Sequence, residues 1–181
     1  MSIFKEQIVK HSLLCGNNIG DLLGFANWNH FGKVQGTSGI GLGHCSCNAS
    51  VAIESNESYE KIRFGEHSFS VVHGNSQIFR GLDRDNPREN MPGKMFASSQ
   101  QQQHAEQIAV QVACNVGSPW IFNKTCHLYI DLGPCAHCRR WLEKHPLSFS
   151  LYYTIKHEDA DKGYLSRMHR QNRRNFKNAF Q

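Results

Sequence analysis

The stretch from Gln103 to Ile155, QHAEQIAVQVACNVGSPWIFNKTCHLYIDLGPCAHCRRWLEKHPLSFSLYYTI, carries both the chain's clearest periodicity and its chemistry. Ile108, Val112 and Val116 recur at i, i+4 and i+8, which predicts a helix over about Gln102 to Val116, ended by Gly117-Ser118-Pro119. After a loop bearing Trp120 and Phe122, Cys126 to Leu132 alternates as a strand does. Gly133-Pro134 then turns the chain into a second helix, Cys135 to about His145, and Ser148 to Ile155 reads as a further strand. Two short motifs lie on these helices in order: His104-Ala105-Glu106 on the first, and Pro134-Cys135-Ala136-His137-Cys138 opening the second.

One nitrogen ligand, His104, and two thiolates, Cys135 and Cys138, make a three-ligand zinc set with a fourth position left for water, the arrangement of a catalytic zinc. Zinc lowers the pKa of such a water from about 15.7 toward about 7. Cysteines in the first turn of a helix meet unpaired backbone N–H groups and the positive end of the dipole, which favours the thiolates. Glu106, two residues past His104, is placed to carry a proton from that water to a ring nitrogen and a leaving amine. His137 is expected to point away, because the two thiolates take the inward positions. A redox Cys-x-x-Cys beside a surface His-Ala-Glu is the competing reading of the same residues.

Together, H-x-E and P-C-x-x-C are the recognised signature of zinc nucleobase deaminases. The segment from about Gln103 to Arg170 therefore resembles the cytidine-deaminase-like superfamily. Within it, the 27 residues between Glu106 and Pro134 are similar to the AID/APOBEC range. Tyr129 to Gly133, Trp141 to His145 and Leu151 to Tyr153 are similar as well, and bacterial toxin deaminases resemble the same core. The resemblance implies an α/β fold, a single mixed β-sheet with helices on its faces and a zinc site at the N-termini of two helices. It also implies that the loop after the last strand, Lys156 to Lys162, contacts the base flanking the target. No residues remain after the final helix for the fifth core strand of those families, so either an N-terminal strand completes the sheet or the sheet is shorter.

Toward the N-terminus the signals weaken. Ile3, Ile8, His11 and Leu14 recur at helical spacing and predict a short amphipathic helix, whereas the Gly- and Asn-rich stretch Gly16 to Gly43 reads as turns and loop. Its glycines fit neither a P-loop nor a dinucleotide register. Strands are expected at Ala49 to Glu54, Phe69 to Val72 and Gln77 to Arg80, the last two joined as a hairpin by His73-Gly74-Asn75-Ser76. Gly81 to Gly93 is a polar turn segment, and Gln100 to Gln103 is a short glutamine run. The expected organisation is residues 1–60 as an N-terminal helix and Gly-rich extension packed on the core, and 61–181 as the zinc deaminase domain with a basic C-terminal helix.

The seven cysteines are odd in number and too sparse for a disulfide framework, so a reducing compartment and a metal are expected. Cys114 and Cys126 read as core residues, and the pair in His44-Cys45-Ser46-Cys47 as loop or buried cysteines rather than a second metal site. No stretch is apolar for the roughly 20 residues of a membrane span. Met1 to Leu14 breaks its apolar residues with Lys5, Glu6, Lys10 and His11, so neither an anchor nor a Sec-type signal is expected. The site of action is expected to be cytoplasmic.

Charge is unevenly placed. Residues 1–100 hold nine basic and nine acidic side chains, and after Asp161 come six basic ones (Lys162, Arg167, Arg170, Arg173, Arg174, Lys177) with no acid. A last helix over about Asp159 to Phe180 would display them, either as a polyanion-binding surface or as a solvated face. Arg139, Arg170, Arg173 and Arg174 are candidate phosphate contacts, and Trp120 and Tyr153 candidate stacking partners for an extruded base. The leading expectation is a zinc-dependent hydrolytic deaminase that converts cytosine to uracil in DNA or RNA. The toxin resemblance adds an effector delivered by a non-Sec route, with an immunity protein as partner. The other readings are a free cytidine or nucleotide deaminase, an adenine deaminase acting at C6, and a catalytically silent zinc-containing nucleic-acid-binding module.

Overall fold

The computed structural model describes residues 3–9, 18–38, 47–54, 61–75, 104–117 and 125–179. These form one six-stranded mixed sheet, in the order β1-β6-β5-β2-β4-β3. The strands are β1 (Ile3–Ile8), β2 (Asn48–Glu54), β3 (Lys61–Phe64), β4 (His67–Asn75), β5 (Thr125–Ile130) and β6 (Ser148–Tyr153). The helices are α1 (Ile19–Ser38), α2 (Ala105–Gly117), α3 (Ala136–Lys144) and α4 (Tyr164–Ala179), with a short 3-10 turn at His157–Asp159. No helix among the described residues is long and apolar enough to cross a membrane.

β5 and β6 pair in parallel, joined through α3, and both are buried along most of their length, as strands covered on both faces must be. β2 runs antiparallel to β5 and to β4. One face packs Val51, Val72, Leu128 and Leu151 against Ile108 and Val112 of α2 and Leu142 of α3. On the other, Val71, Tyr129 and Tyr152 pack against Ile19, Leu23 and Ala26 of α1. The result is an α/β/α sandwich.

Three expectations need correction. Ile3 to Leu14 does not begin as a helix: Ile3–Ile8 is the strand β1, parallel to β6, where it buries Ile3 against the core while Val9 packs on the opposite face. The sheet is thus completed from the N-terminus. Most of Gly16 to Gly43 is the helix α1, not loop. Asn18 caps it, its Oδ1 accepting from the Asp21 N–H at 2.8 Å and its Nδ2 donating to Asp21 Oδ2 at 2.8 Å. Gly20 is there for space, since a Cβ would meet Val9 Cγ1 at 2.8 Å and the Tyr152 ring.

The hairpin turn is misplaced as well. His73, Gly74 and Asn75 continue β4, and the reversal is at Gly65 and Glu66, between β3 and β4. Gly74 is instead the seat of α2: a Cβ there would lie 2.6 Å from the Ala105 carbonyl oxygen and 2.6 Å from the Ala109 nitrogen. The expected strand Gln77 to Arg80, the segment Gly81 to Gly93, the glutamine run, Trp120 and Phe122 lie outside the described residues. Residues 3–8 and 48–54 supply two of the six strands, so the first part of the chain is woven into the sheet.

Candidate metal centre

α2 and α3 begin at the same end of the sheet, where β5 and β6 finish. His104 stands immediately before α2 and its carbonyl accepts the Ile108 N–H at 3.1 Å. Cys135 is the N-cap of α3, extended at φ −67 and ψ 169, with its Sγ accepting the Cys138 N–H at 3.5 Å and its carbonyl accepting the Arg139 N–H at 2.8 Å. The turn between β5 and α3 is tied down on both sides. Gly133 N–H donates to the Ile155 carbonyl at 2.9 Å, and Thr154 Oγ1 to the Asp131 carbonyl at 2.5 Å.

His104, Cys135 and Cys138 thereby form a group whose ligand atoms all lie within 4.8 Å of one another, and it can hold a metal ion. His104 Nδ1 and Cys135 Sγ are 3.7 Å apart. A tetrahedral zinc with arms of about 2.05 Å to nitrogen and 2.3 Å to sulfur requires an N···S edge of about 3.6 Å, so the spacing fits. His137 is exposed and outside the group, as expected from its place in the motif.

Glu106, in the first turn of α2, is 4% exposed, and its carboxylate interacts with the Cys138 thiol. Burial first, and Glu106 second, push that thiol well above its ordinary range, so a thiolate here needs a cation beside it, which coordination supplies. Gln107 Nε2 donates to Cys138 Sγ at 3.4 Å and so orients the ligand. Cys47, at the head of β2, is pushed up by burial and by Glu106 and Asp131 without joining the group, while His44 to Ser46 are outside the described residues. Cys126 is fully buried and Cys114 packs against the core.

The structure disposes the candidate substrate contacts unevenly. Arg139 is held by Glu6 of β1: Nη1 pairs with Oε1, and Nη2 lies 3.2 Å from Oε2. Tyr153 is only 4% exposed, with its ring in the core and its hydroxyl donating to Glu6 Oε2 at 2.9 Å. Arg170 is exposed on α4, which also carries Arg173 and Arg174, whose side chains lie outside the described residues, as does Trp120.

Sequence reasoning missed Glu6, Gln107, Asp131 and His169. Buried Asp131 accepts from Tyr129 Oη at 2.7 Å and from the Asn48 N–H at 3.3 Å, and its Oδ2 lies 3.1 Å from His169 Nε2, which docks α4 beside the metal-site turn. Gln107 adjoins the motif and could have been noticed. Glu6 and His169 reach their partners across the fold, with no local signal.

Residues 46–148, more than half of the chain, match the family model described as the cytidine and deoxycytidylate deaminase zinc-binding region. No curated protein and no solved structure matches the chain.

Proposed function

Because the chain belongs to the cytidine and deoxycytidylate deaminase zinc-binding family, and zinc-dependent deamination follows from that membership, we propose that it deaminates cytosine within a polynucleotide, using water and releasing uracil and ammonia. The observation that carries the deaminase reading is the convergence of His104, Cys135 and Cys138 from two helix starts, with Glu106 buried against Cys138. Zinc bound by those three ligands supplies a water acidified to near-neutral pKa.

The chain's own residues do the rest. Glu106 is not a ligand, so its carboxylate is available to take the proton from the attacking water, deliver it to the ring nitrogen next to C4, and pass a proton to the departing amine. Backbone N–H groups at the start of α3 favour the thiolates: Cys138 N–H points at Cys135 Sγ. Gln107 holds Cys138 from the other side.

What supports a polynucleotide over a free nucleoside is the placement of α4. This helix carries Arg167, Arg170, Arg173, Arg174 and Lys177 with no acidic residue, and it docks through His169 on Asp131, two residues before Gly133. A second hold is Thr154 Oγ1, 2.6 Å from the Tyr164 hydroxyl.

Nucleoside mass spectrometry after incubating the zinc-loaded wild type and Glu106→Ala with cytidine, single-stranded DNA, duplex DNA and RNA tests the proposal. Uracil is expected in one polymer class with wild type only, and Glu106→Ala should retain zinc. Uridine from cytidine alone would overturn the polynucleotide reading, and absence of product from every substrate would leave a silent binding module.

A further inference from the structure

Beside the metal-site turn is a polar cavity of about 240 Å³, lined among others by Glu6, Pro134, Arg139, Tyr153, Lys156 and Glu158. One wall comes from β1, which lies outside the family-matched residues 46–148. On β1, Glu6 stands opposite Leu151 and turns toward α3. Its two oxygens face the two terminal nitrogens of Arg139 as a fork, and one of them also accepts from Tyr153 Oη at 2.9 Å. Arg139 beside it holds the Glu6 carboxyl below its usual range, so it stays ionised at physiological pH.

Arg139 therefore has the position of a phosphate ligand without a free charge. It follows Cys138 directly and its N–H is bonded to the Cys135 carbonyl. An incoming phosphate must displace a carboxylate held on the same chain, which competes at high effective concentration. Resting on the polynucleotide reading above, we infer that Glu6 is an internal substitute for phosphate on Arg139, a specificity-determining contact that withholds Arg139 from phosphate groups and leaves polyanion binding to the other cations, Lys156 on the cavity wall and those of α4.

The test is binding of oligothymidine, which lacks the reacting base, followed by fluorescence anisotropy between 50 and 200 mM salt. The zinc-loaded proteins are wild type, Glu6→Gln, Arg139→Gln and the double variant. Glutamine keeps the shape of Glu6 and an oxygen for Tyr153 while removing the charge. One freed phosphate contact on a single strand steepens the logarithmic salt dependence by about 0.7. Glu6→Gln is then expected to bind about fivefold more tightly at 0.1 M salt, and to lose about 2.5-fold more affinity than wild type across the range.

Arg139→Gln should leave the wild-type slope unchanged and cancel the gain in the double variant. Because it leaves β1 intact, it decides the question even if Glu6→Gln folds poorly. An Arg139→Gln slope shallower by about 0.7, or a Glu6→Gln curve identical to a salt-dependent wild type, overturns the inference alone. Failure of wild type and Glu6→Gln alike to bind, with free cytidine still deaminated, overturns it together with the polynucleotide reading.

Discussion

Replacing Gly74 by alanine asks whether the seat of α2 on β4 sets the metal geometry. The new methyl would lie 2.6 Å from both the Ala105 carbonyl oxygen and the Ala109 nitrogen, helix backbone atoms that cannot swing aside as a side chain could. An ordinary carbon-to-oxygen approach is about 3.3 Å, so α2 must retreat from the sheet by about 0.7 Å. Zinc–ligand distances tolerate only about 0.2 Å. His104 is the residue before Ala105, while Cys135 and Cys138 ride on α3, so the retreat passes almost directly into the His104-to-cysteine spacing. The expected result is a loss of about 1–3 kcal/mol in the metal-free fold and a zinc affinity at least about tenfold weaker. Chemical denaturation reads the first and competition with a chromophoric chelator the second. Gly65→Ala is the control: at φ +63 with nothing within 4 Å, it costs about 1–2 kcal/mol of backbone strain, roughly 25 Å along β4 from Gly74. Wild-type zinc affinity in Gly74→Ala, at a stability cost no different from the control, would refute the argument.

Two further outcomes follow from the same structure. His127 is pushed down to about 4 from the ordinary 6.5, by burial first and by Lys5 second. The unfolded chain therefore binds a proton that the folded protein refuses, and stability should fall as pH drops below about 6.5, levelling off below about 4. Urea midpoints across that range should be flatter for His127→Gln, and equal slopes would count against the assignment. For the metal, adding free zinc at about 100 times its dissociation constant should stabilise wild type by about 2.7 kcal/mol. His104→Ala, lacking one of the three ligands, should show much less of this gain, and an undiminished one would remove His104 from the centre.

The metal centre was legible because its cues are local. His104 and Glu106 are two residues apart, Cys135 and Cys138 three, and each pair sits at a helix start, the first marked by the apolar periodicity that follows it and the second by Gly133-Pro134 ahead of it. The N-terminal half was misread where distant packing overrode local preference. Glycine in a helix interior costs about 1 kcal/mol relative to alanine, so Gly16 to Gly43 reads as loop. Yet Gly20 lets α1 lie against Val9 and Tyr152, an advantage invisible without β1 and β6. Gly74-Asn75 looks like a turn for the same reason, although the missing side chain at Gly74 makes room for α2. Phe4 and Ile8, four apart, fit helical and strand spacing alike over so short a run, and only the open edge of β6 decides between them. The Glu6–Arg139 pair spans 133 positions, beyond any local pattern.

Asp131 shows why these distant contacts bear on the chemistry. A fully buried carboxylate is costly unless its oxygens are satisfied, and here the donors come from separate parts of the fold: Tyr129 on β5, the Asn48 N–H at the head of β2, and His169 of α4 on the same oxygen. The Asp131 N–H donates to the Asn48 carbonyl at 3.0 Å, closing the joint between β5 and β2. Gly133 and Cys135 follow within four residues, so the turn that presents the first thiolate is held on rigid elements from several directions. The same joint fixes the basic helix. A shift of α4 would therefore strain both the His169–Asp131 contact and the 2.6 Å contact between the Tyr164 hydroxyl and Thr154 Oγ1, which itself donates to the Asp131 carbonyl, so both holds lead to the turn that carries Cys135.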